Sequence, residues 1–211
     1  MKKFTVAFVL MAALVIISSA VQAAEIHDAV IDGDIAKIKS IIGSNSQAVN
    51  TRDQYGSTPL HIAARYGLKD VAVLLLGNGA DINAQNNDGF TPLHSAAAAN
   101  KIAVVTLLLT KYADTGVRDR KGRTPIFYTA DTNVASAIIN RGTNLKSRDN
   151  NGMTPLHFAV SLGYTALSEL YIKTGSDINA RTNAGETPLQ LAIKGNRTDI
   201  IQILKKAGAS E

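Results

Sequence analysis

The 211-residue chain has no cysteine and no tryptophan, and only four histidines and five prolines. Without cysteine there is no disulfide framework, no thiolate-ligated zinc, no iron–sulfur cluster and no cysteine nucleophile. Four histidines leave little for a histidine-rich metal site, and aromatic residues make up 5% of the chain. Charge is sparse too, at 18%, but the 45% hydrophobic content argues against a disordered chain. A nucleophile elbow, a Walker A loop, a dinucleotide fingerprint and an HExxH motif are all missing. This inventory points to no catalytic residue, no cofactor and no metal site.

What is present begins with a leader. Lys2 and Lys3 precede an apolar run from Phe4 to Ile17, broken only by Thr5, and Ser18-Ser19-Ala20-Val21-Gln22-Ala23 follows. A positive end, an apolar stretch and small residues in that order form an export signal of bacterial type, with cleavage expected before Ala24. The alternative is an uncleaved anchor, but a run of 14 residues, Thr5 included, falls short of the roughly 20 that a membrane span needs. The expectation is a periplasmic or secreted protein with no stable membrane insertion after cleavage. Lys2 and Lys3 leave with residues 1–23, so 22 basic residues become 20 against 17 acidic ones and +5 becomes +3. That bias is too small to indicate nucleic acid.

The remaining scarce residues are periodic. All five prolines follow a threonine, in Thr58-Pro59, Thr91-Pro92, Thr124-Pro125, Thr154-Pro155 and Thr187-Pro188, at spacings of 33, 33, 30 and 33. A glycine stands two residues before each pair: Gly56, Gly89, Gly122, Gly152 and Gly185. Threonine caps a helix N-terminus and proline at the first helical position forfeits no hydrogen bond, so each pair predicts a helix start. A second apolar segment follows, such as Val71 to Leu76, and should end at a left-handed glycine (Gly79, Gly142, Gly175 or Gly208). A period of this size means stacked supersecondary units.

The segments Thr58-Pro59-Leu60-His61-Ile62-Ala63-Ala64, Thr91-Pro92-Leu93-His94-Ser95-Ala96-Ala97 and Thr154-Pro155-Leu156-His157-Phe158-Ala159 resemble the ankyrin repeat signature. Gly79-Ala80-Asp81-Ile82-Asn83-Ala84 and Ser176-Asp177-Ile178-Asn179-Ala180 resemble the family's second-helix exit. The resemblance implies an all-α solenoid of antiparallel helix pairs joined by β-hairpin fingers. Six units are expected over residues 24–57, 58–90, 91–123, 124–153, 154–186 and 187–211. The first is degenerate, and a cationic last helix suits a terminal cap, so a complete domain is expected. The resemblance also implies that His61, His94 and His157 bond backbone near the fingers and hold neighbouring units together. Successive units lie about 8–10 Å apart, too far for these histidines to share a zinc ion with its roughly 2 Å bonds. His27 stands alone. Departures cluster in the middle: the fourth unit is three residues short, Phe127 replaces the signature histidine, and Tyr112 replaces a left-handed glycine.

In this family the fingertips and the exposed side of the first helix face a concave, partner-binding surface. Carried over residue by residue, this implies a partner-binding set of Tyr55, Arg65, Tyr66, Phe90, Arg118, Arg120, Lys121, Arg123, Met153 and Leu162. Arg52, Arg118, Arg148 and Arg181 repeat at one finger position, with Gln85 in the fifth case, and suggest a partner with an acidic patch near the third and fourth units. Asp53, Asp119 and Asp149 repeat at turn positions and read as turn formers. The expected function is non-catalytic protein binding by a monomer, as an inhibitor or immunity protein, a chaperone or a scaffold. The alternative is a secreted effector that binds a host protein.

Overall fold

The computed structural model describes residues 24–210; the leader expectation falls on residues 1–23, outside them. Helix α1 covers residues 24–31, and α2 (Ile35–Ser44) and a 3-10 turn (Ser46–Asn50) complete the first unit. Four of the Thr-Pro pairs then open α-helices: α3 (Pro59–Tyr66), α5 (Pro92–Ala98), α8 (Pro155–Leu162) and α10 (Pro188–Lys194). Each has an extended threonine at its N-cap and proline in its first turn. Their return helices are α4 (Lys69–Gly77), α6 (Ile102–Thr110), α9 (Thr165–Lys173) and α11 (Thr198–Lys206). In the fourth unit the missing residues reduce the first helix to a single 3-10 turn (Pro125–Phe127), followed by α7 (Thr132–Ile139). The return helices end as expected at left-handed Gly79, Gly142, Gly175 and Gly208, and Tyr112 adopts the same conformation at φ 63°. A side chain there costs on the order of 1–2 kcal/mol over glycine.

First helices pack on first helices, α3 on α5 and α8 on α10, while return helices form a second layer. Ala63, Ala64, Ala96 and Ala97 are completely buried, so the first helices approach closely. Leu75, Leu108, Ile138, Leu167 and Leu204 fill the space behind them, each burial stabilising by about 1.5–3 kcal/mol.

The fingers are tighter than the β-hairpins the resemblance implied. No strand occurs among the described residues, because each finger is closed by a backbone bond from its first residue, as from Asn86 N–H to the Phe90 carbonyl (2.9 Å). Successive fingers join through one further bond, such as Arg120 N–H to the Asp88 carbonyl (2.9 Å). The contact is close enough that a Cβ on Gly89, which also sits at φ 82°, would lie 2.9 Å from the Asp119 backbone.

Three rows of side chains stitch the units together. In the middle row the Thr58 N–H donates to His61 Nδ1 (3.1 Å), which leaves the Nε2–H to donate to the Phe90 carbonyl (2.8 Å) at the end of the next finger. Each finger is counted with the helix pair it leads into, so this bond reaches the next unit. His94 reaches the Arg123 carbonyl (3.1 Å) and His157 the Glu186 carbonyl (3.2 Å) in the same way. His27, which stands alone in the sequence, is buried and reaches the Ser57 carbonyl (3.0 Å), so the first unit is clasped as well. In the last unit Gln190 receives the Thr187 N–H (2.9 Å). On the fingers, Arg52 donates to the Gln85 carbonyl (2.5 Å), Gln85 to the Arg118 carbonyl (3.1 Å) and Arg118 to the Arg148 carbonyl (2.6 Å). At the opposite edge, Asn50 accepts from Asp81 N–H (2.8 Å), Asn83 from Asp114 N–H (2.9 Å) and Asn179 from Ser210 N–H (3.1 Å).

The junction between the fourth and fifth units lacks the histidine, since Phe127 takes its place, and has other means of closure. Arg123 donates to Asp149 (3.0 Å) with side chains only 15% and 1% exposed. Its guanidinium lies 4.5 Å from the centre of the Phe158 ring, which meets Phe127 edge-on at 6.1 Å. The buried Tyr171 hydroxyl donates back to the Ile126 carbonyl (3.1 Å). Burial pushes the pKa of that phenol up.

Two outcomes follow from these clasps. Burial pulls the pKa of His94 down to about 4 and lowers those of His61 and His157. A histidine whose folded pKa lies below its unfolded value binds fewer protons folded than unfolded. Its contribution is therefore whole above about pH 6.5 and drains as pH falls toward 4. By pH 5, His94 alone should remove about 2 kcal/mol, so urea midpoints should fall steadily from pH 7 to pH 5, and less steeply in a His94→Gln variant, where His61 and His157 still titrate. Arg123→Met strands the buried Asp149 carboxylate and should cost about 3 kcal/mol. Adding Asp149→Asn, which keeps the turn acceptor, should recover at least half of that in the same urea experiment.

Candidate functional site

The concave side holds a groove of about 580 Å3 between the fingers and the first helices of the second and third units. Its finger wall is built by turns that the sequence dictates. Asp53 Oδ1 accepts the N–H groups of Tyr55 (2.8 Å) and Ser57 (2.7 Å), and Asn86 Oδ1 those of Asp88 (3.0 Å) and Phe90 (2.9 Å). These side-chain acceptors fold each finger into a narrow loop and so project Tyr55 and Asp88 from its tip. The helix wall carries Ile62, Arg65 and Tyr66 of α3 and Ser95 and Ala98 of α5, and Ile31 of α1 closes one end.

Four of the residues expected from sequence meet in this groove: Tyr55, Arg65, Tyr66 and Phe90. Tyr55 is 66% exposed and Tyr66 52%, so two large rings stand open at the rim of one groove. Phe90 is half-buried, its ring 4.7 Å from Tyr128 and 5.3 Å from His94, so it forms a fixed floor. Tyr128 is held in turn by a hydrogen bond from its hydroxyl to Asp119, and burial followed by that carboxylate raises its pKa.

The other expected residues lie elsewhere. Arg120 and Lys121 are exposed on the next fingertip. Met153 is half-buried beside a smaller depression of about 270 Å3 in the fifth and sixth units, lined also by Asn151, Asn183, Glu186 and Leu191. Leu162 is 45% exposed at the end of α8 and lines none of these hollows. Two of the expected cations make bonds within the array. Arg123 is ion-paired with Asp149 under Phe158, and Arg118 spends a donor on the Arg148 carbonyl. The arginine row is thus a stitch between fingers before it is a surface charge.

Sequence reasoning missed Ile31, Asn86 and the second role of Asp53. The turn motif identified Asp53 as a loop former, but not that its carboxylate also lines the groove. Among the charged side chains of the lining, Asp53 and Asp88 face Arg65 alone, so the groove carries net negative charge in a basic chain. His61 lies there in neutral form, its pKa lowered chiefly by burial. Among the described residues no three His, Cys, Asp or Glu side chains converge as a metal site would require, and no helix is long and apolar enough to cross a membrane.

Comparison with known proteins agrees with this geometry. The family described as Ankyrin repeats (3 copies) matches residues 26–119, 111–182 and 126–211. A 55-residue segment is 44% identical to ankyrin repeat domain-containing protein 13C-B of Xenopus laevis and 36% identical to protein 13C of Homo sapiens. In both cases it covers 26% of this chain and 10% of the relative. The likeness to those proteins thus extends over about a tenth of their length. With matches that run from α1 to the last helix, and with the histidine clasps and Thr-Pro caps in place, the chain belongs to the ankyrin repeat family.

Proposed function

We propose that this chain is a non-catalytic binding protein of the bacterial periplasm that holds another protein in the groove of its second and third units. Ankyrin repeats are protein-interaction scaffolds, and the observation that carries the reading here is the pair of exposed rings, Tyr55 and Tyr66, set around that groove. Aromatic side chains on a rigid frame bury much area at low entropic cost, and they dominate binding hot spots. The export signal at residues 1–23 supports the periplasm. An inhibitor, an envelope chaperone and an assembly scaffold all use such a surface, and secretion to act on a host protein is the second reading.

The docking position moves relative to the sequence expectation. For an acidic partner near the third and fourth units, Arg123 is already paired with Asp149, while the exposed Arg118 bonds only a neutral carbonyl and keeps its charge. Arg120 and Lys121, exposed on the same fingertip, stand beside it.

A double variant Tyr55→Ala, Tyr66→Ala should lose partners from an envelope extract, with affinity for the recovered partner reduced at least about tenfold. Its melting temperature should hold, because exposed substitutions usually shift stability by less than about 0.5 kcal/mol. Unchanged capture by this variant refutes the groove. Fractionation reads the compartment separately: recovery only in the medium or in host cells favours the second reading.

A further inference from the structure

The fourth and fifth units show what a finger carboxylate does when it is filled. Asp149 turns its finger with Oδ1 and gives Oδ2 to the Arg123 guanidinium at 3.0 Å, and that guanidinium lies over the Phe158 ring at 4.5 Å. Asp119 likewise uses Oδ1 for its turn and Oδ2 for the Tyr128 hydroxyl. Asp53 is the equivalent residue of the second unit, and its Oδ1 is spent on its own turn. Nine residues on, where Tyr128 follows Asp119, the second unit has Ile62, which has no donor to offer. No ion pair among the described residues involves Asp53 or Asp88. An acid that is internally satisfied farther along the array is left to the groove here.

Charge and shape then specify the occupant. Two carboxylates against Arg65 leave the lining one negative charge in excess, so an anionic segment is repelled and a cation attracted. Tyr55 and Tyr66 present exposed ring faces beside those carboxylates. A planar guanidinium both stacks on a ring and bonds a carboxylate through parallel donors, whereas an ammonium is a hydrated point charge. Resting on the groove as the docking surface, we propose that it takes an arginine of the partner protein, carried on an extended segment with apolar neighbours. The guanidinium lies against Asp53 and Asp88 and on a tyrosine ring, repeating the internal Arg123–Asp149–Phe158 arrangement.

The test uses the full chain and a blocked heptapeptide with arginine between two leucines, beside the same peptide with citrulline, lysine or glutamate at that position. Titrations are followed by tyrosine ring resonances and by calorimetry. Asp53→Asn keeps the turn acceptor, since Asn86 performs that task one unit later, so this variant isolates the charge. The arginine peptide should bind at least about tenfold more tightly than the citrulline peptide, with glutamate weakest, and Asp53→Asn should erase the preference. Equal binding of all four peptides, lost in Tyr66→Ala but not in Asp53→Asn, overturns the arginine assignment and leaves the groove standing. Tyrosine resonances that stay unmoved by every peptide at millimolar concentration overturn the arginine assignment. Capture that survives in Tyr55→Ala, Tyr66→Ala is what removes the groove itself.

Discussion

Three junctions of this array, those of His61, His94 and His157, depend on a neutral imidazole. The signature histidine must accept an N–H at Nδ1 and donate at Nε2 in the same buried spot, and only the uncharged ring with its proton on Nε2 does both. The Thr-Pro cap provides the N–H on one side and the next finger provides the carbonyl on the other. Helix start, finger position and unit spacing are therefore one constraint. Where Phe127 abandons it, closure requires an ion pair, two aromatic contacts and a tyrosine hydroxyl, all at a single junction.

A second difference, Ile62 in the second unit where the fourth has Tyr128, makes the finger surface uneven. The acid at the head of a finger is always used to turn the chain, and its second oxygen is then at liberty. In the fourth and fifth units Tyr128 and Arg123 consume it and fill the surface. In the second unit no such side chain exists, so the hollow remains and its walls keep the character of the unfilled acid. A single sequence position thus provides packing in the fourth and fifth units and an open acidic wall in the second.

The repeated part of this design was readable from residues alone. Thr-Pro, the helix-ending glycines and the signature histidines each state a local geometry, and their period of 33 states that the geometry recurs. Tyr112 could be identified as strained for the same reason. The arginine row was legible as a row but not as a stitch, because its acceptors are carbonyls about 30 residues away whose approach depends on how the units stack. Arg123 and Asp149 could not be paired from spacing, since 26 residues fits no regular offset once the unit between them is shortened. His27 was hidden by the absence of a Thr-Pro before it, although its interval of 30 to Ser57 matches the other clasps closely. Of the groove, the aromatic half was visible and the acidic half was not, because a turn-forming aspartate shows one role in sequence and two in space.

The four histidine clasps all run in the same direction, from each unit to the carbonyl of the unit after it. The array therefore has a polarity that its nearly symmetric helices conceal. Cut after any clasped unit, it ends on a buried N–H with nothing to receive it; cut before one, it begins on a spare carbonyl, which structures tolerate somewhat more readily. Gln190 closes its own cap by accepting the Thr187 N–H at Oε1 (2.9 Å) and has no ring nitrogen to reach onward.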